Sequence, residues 1–432
     1  MTFLQIESLD QEGRGIARRD GKVIFIEGAL PGESVEIESY RKKAAFEVAV
    51  ATTIRNESAS RTTPGCEFFG LCGGCSLQHM DSRTQVAAKQ RVLEDNLRHI
   101  GKVTPEQILP AIHGPTWGYR HRARLTSRYV FKKGGALVGF HEKRSSYVAD
   151  MRSCEVLPRR ISALLLPLRG LVSSLSIHAR MPQIELAITD TADVLVLRNL
   201  DPLTADDEDK LRAFADVHRV VFYLQPEGPE SAQLFYPPEA DALYYTLPEF
   251  DVQIHFRPTD FTQVNHSINQ VLVRRALNLL APQAGERIAD LFCGLGNFTL
   301  PIARSGASVT GIEGSAGLIK RAQLNAQRNG LSGNTQFMTM DLFKISAEQW
   351  QALGTFDKLL IDPPRDGAME LVKLIGDQGP RRIVYVSCSP STLARDAEVL
   401  VAVHGYKLRA AGIVNMFPHT AHVESMALFE RE

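Results

Sequence analysis

The chain has 432 residues, 44% of them hydrophobic and 23% charged, with a formal net charge of zero. This length exceeds one ordinary hydrophobic core, so we expect two or three globular domains. No run of about 18 apolar residues is present, and the first residues lack the basic start and apolar core of a secretory signal. We therefore expect a cytoplasmic monomer without a membrane partner.

Residues 1–56 alternate between apolar and polar side chains in short stretches, with glycine and proline at the breaks. This pattern predicts a small OB-like β-barrel. The segments Gly13–Arg18 (GRGIAR) and Phe25–Glu33 (FIEGALPGE) resemble the TRAM domain, a small RNA-binding barrel. The resemblance implies an RNA partner, and a barrel that only spaces domains is the alternative.

Three of the six cysteines, Cys66, Cys72 and Cys75, lie within ten residues on a glycine-rich stretch. In a reducing compartment, such a cluster indicates a metal site rather than disulfides. His79 would complete a zinc site, whereas Cys154 would complete a set of four thiolates for zinc or an iron–sulfur cluster. The spacing leaves both possibilities open.

An amphipathic helix is predicted over residues 82–100, and we expect it to serve packing only. Residues 120–160 then contain eleven Lys and Arg against three acids, a local excess of eight that predicts a phosphate-binding face. Arg120, Arg122 and Arg124 are two residues apart, so we expect them on one face of a strand that contacts RNA. A charged, solvated sheet edge is the alternative.

From about residue 259, strands alternate with helices. A long helix is predicted over residues 260–280, followed by strands over 287–294, 308–314, 335–341, 356–364 and 381–388, and two more near 407–415 and 423–430. This order predicts a doubly wound parallel sheet with an added C-terminal edge, a Rossmann-like α/β fold. We expect three domains: a barrel over 1–56, a mixed α/β domain with the cysteine cluster and the basic strand over 57–258, and a catalytic domain over 259–432.

A glycine turn, Gly294-Leu-Gly296-Asn297, follows the first strand of this sheet. It lacks the third glycine of the dinucleotide motif, which disfavours a nicotinamide cofactor. Glu313 closes the second strand, where a carboxylate can accept both ribose hydroxyls, and Asp341 closes the third, near an adenine edge. Adenosine without a pyrophosphate fits such a pocket, and S-adenosylmethionine is a ligand of that kind.

Cys388 follows a short apolar run that predicts a buried strand, and a helix is predicted to begin near Thr392. The helix N-terminus would favour a thiolate at Cys388, which makes this cysteine a candidate nucleophile. A small buried hydrophobic side chain is the alternative.

Four segments, DLFCGLGNFTLP, IDPPRDG, VYVSCSPSTLARD and MFPHTAHVESMALF, resemble the RNA uracil-5-methyltransferase family. Together with the TRAM-like barrel and the cysteine cluster, they are most similar to its ribosomal RNA branch. The resemblance implies a cofactor pocket for S-adenosylmethionine, a nucleophile, a proton acceptor and a four-iron cluster. The implied residues are Gln263, Phe292, Asn297, Glu313, Asp341 and Asp362 for the pocket, Cys388 as nucleophile, Glu424 as proton acceptor, and Cys66, Cys72, Cys75 and Cys154 for the cluster.

This chemistry needs one cysteine and one base. Addition of a thiolate to uracil C6 gives C5 carbanion character, and a base must then remove the C5 proton. Glu424 suits the second role, with His419 and His422 as competitors, and Asp362 would orient the cofactor or the base. A base in a duplex is stacked, so the uridine must be unpaired or flipped out. A transfer RNA methyltransferase and a non-catalytic RNA-binding protein are the alternatives. Methylation of cytosine is disfavoured, because the segments Asp-Pro-Pro-Arg and Ser-Cys-Ser lack the cysteine positions typical of cytosine methyltransferases.

Overall fold

The computed structural model describes residues 3–376 and 379–431. The first sheet is a barrel. Its strands are β1 (Leu4–Gln5), β2 (Ser8–Leu9), β3 (Gly15–Arg19), β4 (Lys22–Glu27), β5 (Ser34–Lys42) and β6 (Phe46–Arg55), in the order β1-β5-β6-β4-β3-β2. The strands at the two ends of this order, β1 and β2, are neighbours in the chain. Ile6 N donates to Glu33 O at 2.9 Å and Glu7 N to Ile16 O at 2.8 Å, so this one segment joins both ends and closes the predicted barrel.

The second sheet lies in the middle of the chain. Its region contains α1 (Ser82–His99), β7 (Gln107–Ile108), β8 (Arg122–Val130), β9 (Gly135–Gly139), α2 (Arg159–Ser162), α3 (Leu165–Ser174), β10 (Gln183–Ile188), β11 (Asp193–Arg198), α4 (Ala205–His218), β12 (Val221–Leu224), β13 (Gln233–Tyr236), β14 (Tyr244–Leu247) and β15 (Val252–His255). The sheet order is β13-β12-β11-β10-β8-β9, and β14 and β15 form a separate pair. Short 3₁₀ turns lie at Phe131–Lys133, His178–Arg180, Pro229–Ser231 and Pro248–Phe250.

The third sheet has the predicted doubly wound arrangement. Its elements are α5 (His266–Leu280), β16 (Arg287–Leu291), α6 (Thr299–Ala303), β17 (Ser308–Glu313), α7 (Ala316–Arg328), β18 (Thr335–Thr339), α8 (Ala347–Ala352), β19 (Lys358–Ile361), α9 (Met369–Leu374), β20 (Arg382–Ser387), α10 (Pro390–Glu398), a π-helical turn Val399–Val403, β21 (Lys407–Val414) and β22 (Glu424–Glu430). The order is β18-β17-β16-β19-β20-β22-β21-β7. Strands β16 to β20 are parallel, and β22 is antiparallel to both of its neighbours. Helices cover both faces, which explains why the central strands are almost continuously apolar.

The predicted helix over residues 260–280 is wrong at its start. Helix α5 begins at His266, because Asn265 is its N-cap and accepts from the backbone N–H of Ile268 at 3.3 Å. The residues before it form a loop in which the Asp260 carboxylate accepts from Arg257 N at 2.7 Å and pairs with Arg321. This loop, rather than a helical turn, therefore carries Gln263.

Helix α1 and strand β7 pack with the third sheet, although they precede the second sheet in the chain. Strand β7 pairs with β21, and Leu93 and Leu97 of α1 belong to the same apolar core as Ala289 and Tyr385. The boundaries at residues 56 and 258 remain a prediction, but this stretch of the 57–258 segment contributes to the fold of the C-terminal sheet.

The predicted row of three arginines does not form. Arg120 precedes β8, and Arg124 pairs with Glu185 at 2.9 Å. The Arg122 guanidinium is turned inward, where it donates to the backbone carbonyls of residues 258 and 260. Alternation along a strand predicts which side chains share a face, but not whether that face is exposed to solvent. Because its guanidinium binds backbone carbonyls, Arg122 has a structural role here.

Among the described residues, no helix is both long and apolar enough to cross a lipid bilayer.

Candidate active site

Cys388 lies at the carboxyl end of β20, immediately before α10. A turn at this junction is closed by Ser387, whose hydroxyl accepts from Ser389 N at 3.1 Å. The last pair of the β20–β22 ladder is Ser387 with Ser425; Cys388 directly follows β20, Glu424 is the first residue of β22, and the Glu424 carboxylate acts on the Cys388 thiol. Antiparallel pairing thus brings the predicted nucleophile and the predicted base together.

The thiol of Cys388 is not poised as a thiolate in this structure. Burial, reinforced by the carboxylates of Glu424 and Asp362, raises its pKa to about 11, while the cation of Arg365 opposes the rise. The predicted lowering by the helix N-terminus is therefore wrong for the free protein. Burial, together with two acidic neighbours, outweighs the partial positive charge of one helix end.

Asp362 and Glu424 are half-buried acids, and the charge of Asp362 strengthens the proton affinity of Glu424. Burial raises the pKa of Asp362 to about 7. Burial and the charge of Asp362 raise the pKa of Glu424 to about 8, against the opposing charges of Arg365 and Lys89. A carboxyl group whose pKa lies near neutral pH can both accept and release a proton under physiological conditions.

The two histidines that competed with Glu424 have other partners. The ring of His419 stacks on Trp117 at 3.9 Å, and its Nδ1 lies 3.2 Å from the Gln85 amide. Burial lowers the pKa of His419 to about 4. His422 has its Nδ1 3.2 Å from Arg365 Nη2. The geometry favours Glu424 over both histidines as the base next to Cys388.

The cofactor turn is tied to the second strand by Glu313. Its carboxylate accepts from Gly294 N at 3.3 Å and from Ser315 N at 3.0 Å. Gly294 has a φ of 54°, which lies in the left-handed region that residues with a side chain rarely adopt. The ribose-binding carboxylate that the sequence predicts is thus held at the end of β17, beside the turn.

Asp290 is a residue of this site to which the sequence analysis gave no role. It is fully buried, and one oxygen accepts from the Thr299 hydroxyl at 2.5 Å. Within the described part of the chain, its other oxygen has no hydrogen-bond partner. Burial raises its pKa to about 7, and the charges of Asp362 and Glu313 act in the same direction. The sequence signal that could have identified Asp290 as a site residue is an acidic residue inside an apolar strand, just before a glycine turn.

The remaining predicted cofactor residues lie around the same turn. Asn297 is bound by protein groups, since its Oδ1 accepts from Tyr245 at 2.9 Å and from Asn269 at 3.0 Å. The rings of Phe292 and Phe343 are 5.4 Å apart. The Asp341 carboxylate accepts from Phe343 N at 3.0 Å.

Two of these positions differ in detail from the sequence prediction. Asp341 lies two residues beyond the end of β18 at Thr339 and is exposed, so it does not close that strand. Gln263 lies in the loop before α5, next to Val264, whose carbonyl accepts from His121 N at 2.8 Å. Asn265 in the same loop donates to Met416 O at 3.4 Å, which brings the loop towards the segment that precedes Glu424.

The four predicted cluster ligands, Cys66, Cys72, Cys75 and Cys154, line one cavity of about 840 Å³, and Cys388 lines it too. Burial raises the pKa of Cys75 to about 11 and that of Cys154 to about 12, and neighbouring thiols add to both shifts. His79 is not among the lining residues. In the described ranges, no three His, Cys, Asp or Glu side chains have the spacing to hold a single metal ion. Four thiols converge here, but not in the arrangement of a preformed zinc site.

A parallel sheet with a glycine turn after its first strand and a carboxylate after its second defines a Rossmann-like methyltransferase fold. The model of the tRNA (uracil-5-)-methyltransferase family matches residues 115–432, and that of the TRAM domain matches residues 4–38. The chain belongs to the RNA (uracil-5-)-methyltransferase family.

Two bacterial relatives match along nearly their whole length. The 23S rRNA (uracil(1939)-C(5))-methyltransferase RlmD of Nitrosospira multiformis is 64% identical over 428 residues, 99% of this chain and 98% of that protein. The protein of the same name from Dechloromonas aromatica is 59% identical over 430 residues and all of both chains. The crystal structure of Pyrococcus abyssi tRNA (uracil-54, C5)-methyltransferase with S-adenosyl-L-homocysteine has a TM-score of 0.76 and 23% identity over 99% of each chain, which shows the same fold.

Proposed function

We propose that this chain transfers a methyl group from S-adenosylmethionine to C5 of a uridine in 23S ribosomal RNA. The observation that carries the proposal is the proximity of Cys388 and Glu424 at the end of the β20–β22 ladder, in a chain 64% identical to a protein named for this reaction. Cys388 and Glu424 are the two groups that the chemistry requires.

In the proposed reaction, the Cys388 thiol first releases its proton to solvent, the resulting thiolate forms a bond to C6 of the uracil ring, and the π electron pair of the C5–C6 double bond moves into the ring carbonyl system. S-Adenosylmethionine, when bound, supplies an electrophilic methyl group, which C5 takes up. Glu424 then removes the proton from C5, and the returning electron pair expels the Cys388 sulfur from C6. Atoms balance, because the thiolate is regenerated and one proton remains on Glu424.

The proposal also assigns roles to the predicted cofactor residues. Glu313, held beside the glycine turn, accepts hydrogen bonds from ribose hydroxyls, and Asp341 contacts the adenine edge. In this proposal Phe292, Asn297 and Gln263 also contact the cofactor, and Asp362, whose charge acts on both Cys388 and Glu424, orients the cofactor or the base.

We also propose that Cys66, Cys72, Cys75 and Cys154 hold a four-iron cluster. Thiolates that bind separate irons of a cluster are farther apart than those that share one zinc ion, which fits four cysteines around a common cavity. When bound, such a cluster cross-links the glycine-rich loop to Cys154. The cluster-bearing loop donates two backbone hydrogen bonds, from Ser76 N and Leu77 N, to His419 O.

The RNA substrate is supported by the barrel and by the names of the relatives. The test uses purified protein with S-adenosylmethionine labelled in its methyl group, and with 23S ribosomal RNA and bulk transfer RNA from a strain that lacks the gene. We expect label in ribosomal RNA, as 5-methyluridine at one position, and none with Cys388→Ala. Label in transfer RNA alone would support the other substrate, and methylation by Cys388→Ala at the parental rate would overturn the mechanism.

A further inference from the structure

Helix α1, for which the sequence predicts packing alone, carries two buried polar side chains on one face. Gln85 and Lys89 are four residues apart, and their exposed fractions are 1% and 2%. Burial of a polar or charged side chain costs free energy unless it finds partners. The partners of these two side chains therefore indicate what the helix does.

The ammonium group of Lys89 binds the segment that leads into Glu424. Its Nζ donates to Asn415 Oδ1 at 2.7 Å and to Phe417 O at 2.8 Å. Both acceptors are neutral, so burial lowers the pKa of Lys89 to about 7, while the nearby carboxylate of Glu424 opposes this shift and favours the charged ammonium. A buried cation with neutral acceptors is stabilised by a nearby anion.

Further contacts hold the same segment on both sides. Gln85 Oε1 accepts from His419 N at 2.8 Å, on the side of α1. On the other side, the Tyr119 hydroxyl donates to Pro418 O at 3.0 Å, and Trp117 stacks on His419. His419 has a φ of 65°, so the backbone at this point adopts a conformation that its surroundings impose.

We propose that Lys89 is a positioning residue for Glu424: through Asn415 and Phe417 it holds the segment that carries this carboxylate, and in its protonated form it supplies a buried positive charge that favours the ionised base. This inference rests on the proposed function, because it concerns the step in which Glu424 removes the C5 proton. The contacts join residues more than 300 positions apart in the chain.

The electrostatic balance around Glu424 gives the direction of the effect. Lys89 and Arg365 favour its ionised form, whereas burial and Asp362 favour its protonated form. Burial lowers the pKa of His419 and of His422, and the charge of Lys89 contributes to both shifts. The groups that face Glu424 or Lys89 are Asp362, Arg365, Cys388, His419 and His422. Without Lys89, one of the two opposing cations is lost, and Glu424 holds its proton to higher pH.

The test follows the covalent RNA adduct through Lys89→Met, which replaces the cation with an apolar side chain of similar length. Adduct formation and decay are measured on denaturing gels between pH 6 and pH 9. The decay rate should fall at low pH, where Glu424 is protonated, and we call this part of the profile the acidic limb. In Lys89→Met we expect the acidic limb to move up by about one pH unit, so that decay at pH 7 slows about tenfold and recovers near pH 9. Adduct then accumulates at pH 7.

Two matched variants separate charge from position. Gln85→Leu removes the hydrogen bonds to His419 without changing charge, and we expect slower decay at every pH with the limb unmoved. Arg91→Met removes an exposed cation from the same helix, where it pairs with Asp95, and should match the parental protein throughout. A limb that stays at the parental pH in Lys89→Met, or one that moves equally in Arg91→Met, would overturn the inference.

The pH at which the decay rate falls is read from each variant's own profile. A smaller folded fraction therefore lowers the whole curve without moving that pH. If Lys89→Met does not fold, Lys89→Gln keeps a donor for Asn415 and removes the charge, and the same shift is expected. If the parental protein forms and resolves an adduct but the pH profile of the Lys89 variant does not shift, only the role of Lys89 is refuted. Parental protein that forms no adduct refutes the proposed function, and this inference with it.

Discussion

Cys388 and Glu424 flank Ser387 and Ser425, the last residue pair between β20 and β22, and the Glu424 carboxylate acts on the Cys388 thiol. The side-chain period of a strand is two, so a slip of one residue would turn one member of this pair to the opposite face of the sheet. Two residues that are 36 positions apart in the chain are thus placed by a backbone ladder rather than by flexible loops. The relationship gives each of them a separate, testable role.

Glu424→Gln should stop the reaction after methyl transfer. An amide cannot take the C5 proton, so the sulfur stays bonded to C6, and we expect a covalent RNA adduct on a denaturing gel with product formation reduced at least ~100-fold. Glu430→Gln, at the far end of β22, is the matched control: it weakens ion pairs with Arg382 and Arg409 and should leave turnover near the parental rate. Absence of an adduct in Glu424→Gln would count against its role as the base.

Asp290→Asn should make the protein more stable at alkaline pH. Burial raises the pKa of Asp290 to about 7, so between about pH 4 and pH 7 the unfolded chain loses this proton before the folded one, and stability falls as pH rises. Asparagine cannot ionise and can still accept from Thr299. We expect the free energy of unfolding to gain about 2–4 kcal/mol at pH 8 relative to pH 5, measured by denaturant titration. The exposed Asp251→Asn serves as the control, and an equal gain there would contradict the assignment.

Arg122→Met should destabilise the fold rather than weaken RNA binding selectively. It leaves the carbonyls of residues 258 and 260 without their donor, at a cost of about 1–3 kcal/mol in the free energy of unfolding. Arg128→Met removes an exposed arginine from the same strand and should cost less than about 0.5 kcal/mol. Equal unfolding midpoints for the two variants would show that Arg122 is not a structural residue.

Cys154→Ala should remove the proposed cluster. Loss of one of four thiolates should abolish the brown colour and visible absorbance of anaerobically purified protein, together with its iron content. Cys293→Ala, which alters a buried cysteine outside the shared cavity, should retain both. A colourless parental protein that contains zinc would refute the cluster, and retained iron in Cys154→Ala would refute this ligand.

Much of the architecture follows from local patterns. The alternating strands of the barrel, the parallel strands of the third sheet and the two antiparallel strands after Cys388 all occur where the sequence predicts them, and the strands of the third sheet are one to five residues shorter in total than predicted. Helix α5 begins six residues later than predicted, because the asparagine cap at residue 265 competes with the helical pattern that precedes it. Such boundaries depend on single hydrogen bonds that periodicity does not reveal.

The sequence by itself determined the order of strands and helices, the glycine turn and the position of Cys388 after a buried strand, because these depend on residues within a few positions of one another. Only the tertiary structure decided that Arg122 turns inward, that Lys89 reaches Asn415, and that acidic neighbours raise the pKa of the Cys388 thiol. Burial and charge act through space, between groups brought together by folding, and no local pattern specifies which distant groups will meet.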